Sequence, residues 1–528
     1  MWEVLAGSPH RRPTSFDPVG QSVPRKACPH HHQNACSRLQ ETWCLDAAIN
    51  TAGVLLDVPL AEAAARLADC ALEELDARMR AITNGVVDTA SKVEKLKQWV
   101  EAEGAKLPRR PSKKKDNKTG ETREVWGPKL QESDIERLLL GNLSPPVREA
   151  LEIRLQAAQT AATKFIRMLE TRSSDNRLRN LFRYHGAMTG RWTGALSQVQ
   201  NLKRPDVLNK DSDSEAAIQA VLTRDYELVK ARYGDVLGVL GDLVRSAIIA
   251  APGHRFIVGD FSQIEARVVC WLAGEDWKLA AFGAYDRGEG EDIYVLAVSK
   301  TLRLDDPEAA LKLRPLGKVI ELASAFQMGA DKFFSLIRSA NIPGTTPLTL
   351  YDVKGIVNKW RDEHRAIVRF WAALNSAAMS AVRHPETIIP CGRVRFQMRD
   401  GILCMRLPSG REIAYPAPTI KPGRFGWDAV HFTEIEAGRR RNRNMYGGSW
   451  CENATQGVAR DCLVEALKRV IAAGFAVVLH AHDELVVEAP FGFGSEEELE
   501  RLMTERPAWA PDLPIAVKTW EGTRFKKG

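Results

Sequence analysis

Two aspartates that are far apart in the chain each stand beside apolar residues typical of a buried strand. Asp260 directly follows the short segment Arg255–Gly259, and Asp483 lies between Val477–His480 and Leu485–Val487. The pattern predicts one strand before Asp260 and a strand–turn–strand unit around Asp483. Either aspartate alone is better explained as a turn or capping residue. Together they could hold Mg²⁺, which prefers hard oxygen ligands and usually takes only one or two protein carboxylates.

A cationic segment between these aspartates has the spacing of a helix. Residues four apart line one helical face, and this spacing is found in Arg314, Lys318, Leu322 and Phe326. Pro315 suits the first turn of such a helix. Cations at a helix N-terminus oppose the helix dipole by about 0.3–1 kcal/mol each, which a purely structural helix avoids. A helix that binds a triphosphate favours them, because free N–H groups and cations converge on the anion; two solvated cations are the alternative.

Five segments together describe one catalytic site. They are Thr189–Arg191, Asp260–Arg267, Arg314–Phe326, Gln456–Gly457 and His482–Glu484. Their order and residues resemble the polymerase domain of family A (Pol I-like) DNA polymerases, especially the phage-encoded branch, over roughly residues 41–528. The resemblance implies a DNA-directed DNA polymerase that adds dNTPs to the primer 3′ end of primer-template DNA, with two Mg²⁺ ions as cofactors.

The resemblance also implies a role for individual residues. Asp260, Asp483 and the backbone carbonyl of Phe261 are expected to hold the metals, and Lys318 is a candidate general acid to the leaving pyrophosphate. The expected nucleotide-binding residues are Arg314, Lys318, Leu322, Phe326, Glu265 and Tyr294. The expected DNA-binding residues are Arg191, Gln200, Asn201, Gln456 and His482. Contacts from Arg and Gln to minor-groove acceptors detect base pairing without reading sequence, which suits a copying enzyme.

Several positions bear on which sugar the enzyme accepts. The glutamate that matches Glu265 closes the space beside C2′ and excludes ribonucleotides; a surface glutamate that opens a helix is the alternative. Single-subunit RNA polymerases share the fold but not this glutamate pattern, which favours DNA synthesis. Leu322 stands where relatives usually carry Phe or Tyr, and Phe326 where they usually carry Tyr. Both keep an apolar wall, and neither has the phenol that a hydroxyl-dependent sugar selection would use. Phe261 replaces a common Tyr, and Tyr294 replaces the His of cellular relatives.

The composition fits a large globular protein with a nucleic-acid partner. The 528 residues are 44% hydrophobic and carry a net charge of +7, a basic excess that is weak evidence by itself. Nine cysteines without a regular framework predict reduced thiols in a cytoplasmic protein. No apolar run approaches about 18 residues, and no secretory signal is recognised. We expect a monomer.

The expected fold class is α+β, in a right-hand architecture with a helical thumb, an antiparallel-sheet palm and helical fingers. The expected divisions are a disordered or poorly ordered extension (1–40), thumb (41–180), first part of the palm (181–275), fingers (276–445) and second part of the palm (446–528). In the extension, a metal site at Cys28, His30–His32 and Cys36 is far less favoured than a polar tail.

Local patterns give more detailed expectations. Helices are predicted at Leu60–Ile82, Asp134–Leu140, Val147–Thr171, Leu237–Ile249 and Trp450–Ala473. The basic run Lys106–Lys118 is predicted to be a loop or helix tip, either solvated or tracking a phosphate backbone. The run Arg439–Arg443 is predicted to be a solvated or phosphate-facing loop.

The first forty residues contain only the acids Glu3 and Asp17. A proofreading 3′–5′ exonuclease needs its own carboxylate cluster, so we expect synthesis without proofreading. An alternative is a catalytically decayed prophage remnant that only binds DNA.

Overall fold

The computed structural model describes residues 33–526, except 116–121, 160, 203–206, 209–210, 340–341, 343, 346–347, 424–425 and 437–438. Cys28, His30–His32 and most of the expected N-terminal extension lie outside the described residues. The chain divides into two units, Met1–Glu41 and Thr42–Gly528. In the first unit only the helical segment from Gln33 onward is described.

Helices form most of the described structure. Their bounds are α1 Gln33–Ala52, α2 Val58–Ile82, α3 Val93–Ala102, α4 Glu132–Leu139, α5 Pro145–Ala157, α6 Ala161–Thr171, α7 Asp211–Leu222, α8 Tyr226–Tyr233, α9 Val236–Leu243, α10 Ile264–Ala273, α11 Asp276–Asp286, α12 Ile293–Leu302, α13 Pro307–Lys312, α14 Arg314–Ser324, α15 Ala330–Ser339, α16 Leu350–Glu363, α17 Arg365–Arg383, α18 Gly447–Ala472 and α19 Glu496–Thr504. Short 3₁₀ helices cover Val199–Asn201 and Arg245–Ala247.

The strands are short and pair in an antiparallel manner. Their bounds are β1 Val54–Leu56, β2 Arg109–Lys115, β3 Thr122–Pro128, β4 Arg177–Leu178, β5 Phe182–Arg183, β6 Thr193–Gly194, β7 Ile248–Ile249, β8 His254–Phe261, β9 Ile389–Cys391, β10 Val394–Arg399, β11 Ile402–Arg406, β12 Glu412–Pro416, β13 Thr419–Pro422, β14 Asp428–Glu436, β15 Arg439–Asn444, β16 Val477–Ala481, β17 Glu484–Pro490 and β18 Val517–Gly522. The expected α+β class is confirmed.

The central sheet brings the middle of the chain and its end together. Its strand order is β16-β17-β8-β18. The apolar residues Phe256, Ile257 and Val258 of β8 are fully buried, which is the burial that the short apolar run predicted. Helix α19 packs on β8 and β18, and α10 packs on α18. The sheet is therefore a stable base for residues at the strand ends.

The predicted helix at Leu60–Ile82 is confirmed as α2. The Asp57 side chain accepts a hydrogen bond from the N–H of Leu60 at 3.1 Å, a cap that satisfies one of the first helical donors. Helices α5, α6, α7 and α9 pack around α2. The prediction of one continuous helix over Val147–Thr171 is wrong, because α5 ends at Ala157 and α6 begins at Ala161. Each of the two helices packs separately on α2 and α9, and a single straight helix could not bury both faces.

Three other local predictions are wrong. The predicted helix at Leu237–Ile249 ends at Leu243, and Ile248–Ile249 instead pair with β1. The basic run Lys106–Lys118 is not a loop or helix tip, since Arg109–Lys115 pairs with β3 as a hairpin. The run at Arg439–Asn444 is likewise a strand, paired with β14. In each case pairing with a neighbouring strand overrides the local preference.

The cysteines of the described part are free thiols, at Cys44, Cys70, Cys270, Cys391, Cys404, Cys451 and Cys462. None of the helices in that part is both long and apolar enough to cross a membrane.

Candidate active site

The strand pairing of the central sheet brings Asp260 and Asp483 together. Asp260 lies opposite Glu484 in the β8–β17 register, and the N–H of Phe261 donates a hydrogen bond to the backbone carbonyl of Asp483 at 3.0 Å. Both aspartates are partly exposed at this end of the sheet, whereas Phe261 is buried. The backbone thus brings Asp260, at the end of β8, close to Asp483, in the turn before β17, at one edge of the sheet.

The turn between β16 and β17 presents Asp483 to this edge. The turn consists of His482 and Asp483, and His482 is exposed with a left-handed φ of 56°. Glu484 is only 1% exposed at the start of β17. Behind the turn, His480 is buried and stacks on Phe182 with ring centroids 4.1 Å apart. Burial, with the charge of Arg460 next, lowers the pKa of His480 to about 3. The imidazole is therefore neutral.

Helix α14 carries the predicted cationic stripe. Arg314 starts the helix directly after α13, and the side chain of Leu313 provides no cap. The Arg314 guanidinium lies 2.8 Å from a carboxylate oxygen of Asp292 and 5.1 Å from the ring centroid of Tyr294. Lys318 lies one turn further and is partly exposed. The two predicted phosphate ligands therefore share a partly exposed face.

Tyr294 joins this face from α12. It is 6% exposed. Burial, aided by the charge of Glu321, raises the pKa of its phenol to about 12, and the Asp483 carboxylate contributes to the same rise. The hydroxyl stays protonated at neutral pH and belongs to the same electrostatic neighbourhood as Asp483.

Gly317 allows α12 and α14 to approach closely. A Cβ at Gly317 would lie 2.7 Å from the carbonyl carbon of Tyr294, closer still to its oxygen, and 2.8 Å from Cγ2 of Val298. No side chain fits in that space. Glycine here determines the position of Arg314 and Lys318 relative to Tyr294.

The second half of α14 is anchored by buried charge. Glu321 forms an ion pair with Lys278 of α11 and accepts a hydrogen bond from the Trp360 indole at 3.3 Å. His364 contacts the Lys278 ammonium at 2.8 Å. Burial and the charge of Lys278 lower the pKa of His364 to about 2. Because these groups come from different helices and are buried, they fix the rotation of α14.

Helix α14 ends before the last of the four residues that were predicted to lie along one of its faces. Leu322 is partly exposed on α14, but the helix ends at Ser324 and Phe326 lies in the following turn. The prediction that all four stripe residues lie on one helix is therefore wrong for Phe326. This turn contacts the start of α18, where the N–H of Gly448 donates to the Gln327 side chain at 2.8 Å. A Cβ at Gly448 would lie 2.6 Å from Cβ of Gln327.

Glu265 lies in the first turn of α10, five residues beyond Asp260. Its carboxylate lies 2.6 Å from the Arg191 guanidinium. Glu452 of α18 lies in the same neighbourhood: burial and then the charge of Glu265 raise its pKa, while Lys332 and Arg191 oppose the rise. Gln456 donates to Glu452 at 3.3 Å. The predicted sugar-selecting and minor-groove residues therefore meet in one place.

The turn that carries Arg191 is held by two buried arginines. The carbonyl of Gly190 accepts a hydrogen bond from Arg460 at 3.1 Å. A Cβ at Gly190, whose φ is 85°, would lie 2.6 Å from the Arg411 guanidinium. Both arginines contact Asp461, at 2.6 Å for Arg411 and 3.3 Å for Arg460. Arg411 also donates to the carbonyl of Gly457 at 2.9 Å, so the turn and α18 form one packed unit.

Gln200 and Asn201 lie together on the 3₁₀ helix Val199–Asn201, which contacts β16. Gln200 is 7% exposed and Asn201 is exposed.

Sequence reasoning missed several residues that shape this site. They are Asp292, Glu321, Lys278, Asp461, Arg411 and Arg460. Their partners are distant in sequence, so no local spacing revealed them. The one available signal was the presence of charged residues within otherwise apolar helices, such as Glu321 on α14.

The donor set at the sheet edge suits a hard cation. The predicted donors are the carboxylate of Asp260 at the end of β8, the carboxylate of Asp483 in the adjoining turn, and the backbone carbonyl of Phe261. Within residues 33–526, outside the gaps, no group of three or more His, Cys, Asp or Glu residues could hold a metal ion. Two carboxylates are nevertheless a usual protein contribution for Mg²⁺, which keeps water or substrate oxygens as its other ligands.

Comparison with known proteins assigns this fold and site to a class. The sequence model of DNA polymerase family A matches residues 69–527. The DNA polymerase of Bacillus phage SP02 is 33% identical over 490 residues, covering 92% of this chain and 70% of the phage protein. DNA polymerase I of Borreliella burgdorferi is 20% identical over 384 residues, covering 71% of this chain and 36% of that enzyme.

A solved structure shares the fold. The POL domain of Pol1 from M. smegmatis, in complex with DNA primer-template and dNTP, aligns with a TM-score of 0.60 and 17% identity. The alignment covers 92% of this chain and 69% of that one. The expected right-hand architecture is confirmed.

The class defined here is the DNA-directed DNA polymerase of the right-hand fold. The chain belongs to DNA polymerase family A, and it resembles the phage-encoded branch as predicted. Its reaction is template-directed DNA synthesis.

Proposed function

We propose that the chain extends a primer 3′ end with dNTPs by a two-metal mechanism centred on Asp260 and Asp483. The observation that carries the proposal is that Asp483, in the β16–β17 turn, lies beside the end of β8 that carries Asp260, where the N–H of Phe261 donates to the Asp483 carbonyl. These aspartates and the Phe261 carbonyl would hold two Mg²⁺ ions. When bound, the ions supply Lewis-acid stabilisation for the attacking and leaving oxygens.

The residues of α14 orient the triphosphate. Arg314 and Lys318 place positive charge at a helix start that no side chain caps, and the positive end of the helix dipole favours an anion there. The Asp292 carboxylate holds the Arg314 guanidinium in position. Lys318 is the candidate proton donor to the pyrophosphate oxygen. Leu322 and Phe326 would form an apolar wall, and the protonated Tyr294 hydroxyl provides a polar group beside it.

The second part of the site senses the sugar and the primer end. Glu265 excludes a 2′-hydroxyl by occupying the space next to C2′. Arg191 and Gln456, which face the same neighbourhood through Glu265 and Glu452, donate to minor-groove acceptors. Gln200, Asn201 and His482 would contact DNA around them. The M. smegmatis structure is a complex with the same two kinds of molecule, a DNA primer-template and a dNTP.

The wider assignments are also proposals. The thumb occupies 41–180, the palm 181–275 and 446–528, and the fingers 276–445. The chain acts as a monomer in the cytoplasm of a bacterial host during phage or prophage replication. It extends primers without shortening them: a labelled primer with a mismatched 3′ end should keep its full length with Mg²⁺ and no dNTPs. Shortening that survives Asp260→Ala would reveal a separate exonuclease site.

Primer extension tests the central proposal. Asp260→Ala and Asp483→Ala should each nearly abolish extension while binding duplex DNA as the native chain does, because duplex affinity depends mainly on phosphate contacts. Asp428→Ala removes an exposed carboxylate paired with Arg383 and is the matched control, with native activity expected. Near-native extension by either active-site variant would contradict the assignment. A native chain that binds DNA but never extends it would favour the decayed remnant.

A further inference from the structure

One ion pair joins two residues to which the proposed function gives separate tasks. The Arg191 guanidinium lies 2.6 Å from a carboxylate oxygen of Glu265, and the side chains are 20% and 25% exposed. Because water reaches this pair only in part, the pair can hold its two side chains in one geometry, whereas more exposed surface pairs contribute little. Its position at the first turn of α10, next to the Asp260 strand, is inside the candidate active site.

Glu265 by itself has little to fix its side chain. A glutamate has three rotatable bonds, and a position in the first helical turn allows it to point into solvent. The helix dipole favours its charge there without choosing a rotamer. Leu322 and Phe326 carry no hydroxyl, so neither could hold the carboxylate by a hydrogen bond. The contact that orients the Glu265 carboxylate comes from Arg191.

The backbone next to Arg191, in contrast, is held in place by contacts with other elements. The preceding Gly190 adopts a φ of 85°, and Arg460, itself buried, binds its carbonyl at 3.1 Å. The Nε of Arg191 is buried and has no hydrogen-bond partner within the described residues. This leaves a donor for another group while the terminal nitrogen contacts Glu265.

The surrounding charges make the arginine necessary. The Glu452 carboxyl faces the same region, and the charge of Glu265 helps to raise its pKa, whereas Arg191 and Lys332 counteract the rise. Without Arg191, two acidic groups would face each other with less compensation, and repulsion would favour rotation of Glu265 away from the cleft.

We propose that Arg191 is a positioning residue for sugar selection: it holds the Glu265 carboxylate against the space beside C2′, so that exclusion of ribonucleotides depends on both residues. The proposal rests on the proposed function, in which Glu265 occupies that space. It adds that the residue which contacts the primer end also sets the sugar preference.

The experiment compares the use of a ribonucleotide and a deoxynucleotide with the same base. The ratio of kcat/KM for the rNTP to that for the dNTP is measured at saturating primer-template in the native chain, Arg191→Met, Glu265→Ala and the double variant. Because the ratio is formed within one variant, a general loss of activity divides out. Thermal unfolding of each variant confirms that it is folded.

We expect Arg191→Met to raise the ratio on the order of tenfold, the factor that corresponds to losing one charge-assisted hydrogen bond. The double variant should equal Glu265→Ala, since the two residues act through one carboxylate. Arg191→Lys, which keeps the charge, should raise the ratio less than Arg191→Met. Arg383→Met breaks an exposed ion pair with Asp428 and should leave the ratio unchanged.

Two results would overturn the proposal: a native ratio in both Arg191 variants, or a double variant whose change is the product of the two single changes. If Arg191→Met is inactive or unfolded, the Arg191→Lys ratio decides. In either case the native chain would still extend primers with dNTPs, so failure of this inference is distinct from failure of the proposed function, which would appear as no DNA synthesis by the native chain.

Discussion

The contact at Gly317 makes a strong prediction about how α14 is positioned. Introducing a methyl group there by Gly317→Ala would place it 2.7 Å from the Tyr294 carbonyl carbon and 2.8 Å from a methyl of Val298. Carbon atoms normally pack at about 3.5–4.0 Å. Helices α12 and α14 must therefore separate by roughly 1 Å, and backbone atoms cannot rotate away as a flexible side chain can.

The expected magnitude follows from two opposing effects. Overpacking costs about 1–3 kcal/mol, and the upper end applies because the clash is with backbone. Alanine is favoured over glycine in a helix by about 1 kcal/mol. The net loss should be about 2 kcal/mol of unfolding free energy. Since Arg314 and Lys318 move with α14, a displacement of about 1 Å should also lower kcat/KM for dNTPs by roughly 100-fold.

The assay combines urea denaturation with single-nucleotide incorporation at saturating primer-template. Gly355→Ala is the matched control, because Gly355 lies within α16 and a Cβ there would meet nothing within 4 Å. That variant should be about 1 kcal/mol more stable than the native chain and equally active. If Gly317→Ala matched Gly355→Ala in both stability and kcat/KM, the reasoning about the α12–α14 contact would be refuted.

Further predictions concern charge, pH and substrate choice. Asp461→Asn should cost about 3–5 kcal/mol in urea denaturation, because two guanidinium groups stay buried without their carboxylate; Asp428→Asn, in an exposed pair, should change stability by less than about 1 kcal/mol. Below pH 6.5 the unfolded chain protonates His480 while the folded chain, with its pKa near 3, does not. Stability is thus lost as pH falls, by about 1.4 kcal/mol per pH unit from this group, and His480→Phe should make denaturation curves between pH 6 and 4.5 less pH-dependent. Leu322→Tyr should discriminate less against dideoxynucleotides than the native chain, because leucine offers no hydroxyl beside the triphosphate. Equal ratios of dideoxynucleotide to dNTP incorporation in the two proteins would contradict the placement of Leu322 beside the triphosphate.

The sequence predicted well those parts of the fold that depend on local pattern. The apolar run before Asp260 and the two runs around Asp483 became β8, β16 and β17. These strands also pair with one another, in agreement with the prediction. Two carboxylates can hold the same metal ions only if the strand ends beside them meet. The start of α14 at Arg314 followed from Pro315 and the four-residue spacing.

Other features depended on tertiary contacts that no local pattern contains. Helix α5 ends at Ala157 and α6 begins at Ala161, although the sequence between them has neither Gly nor Pro, because each helix packs separately on α2. The strands β2 and β15 are so rich in Lys and Arg that composition argued against strands, but pairing with β3 and β14 decides the outcome. The Arg191–Glu265 contact joins residues far apart in sequence. Each was expected to act alone.

The glycine pair at the start of α18 has a practical consequence for protein engineering. Gly447 lies against Trp371, and Gly448 binds the Gln327 side chain through its own N–H. The turn after α14 and the start of α18 therefore have complementary surfaces in contact with each other. A chimera that imports the α14 segment from a relative would bring a foreign turn against this glycine pair. Transplants in this enzyme should exchange both surfaces as one module.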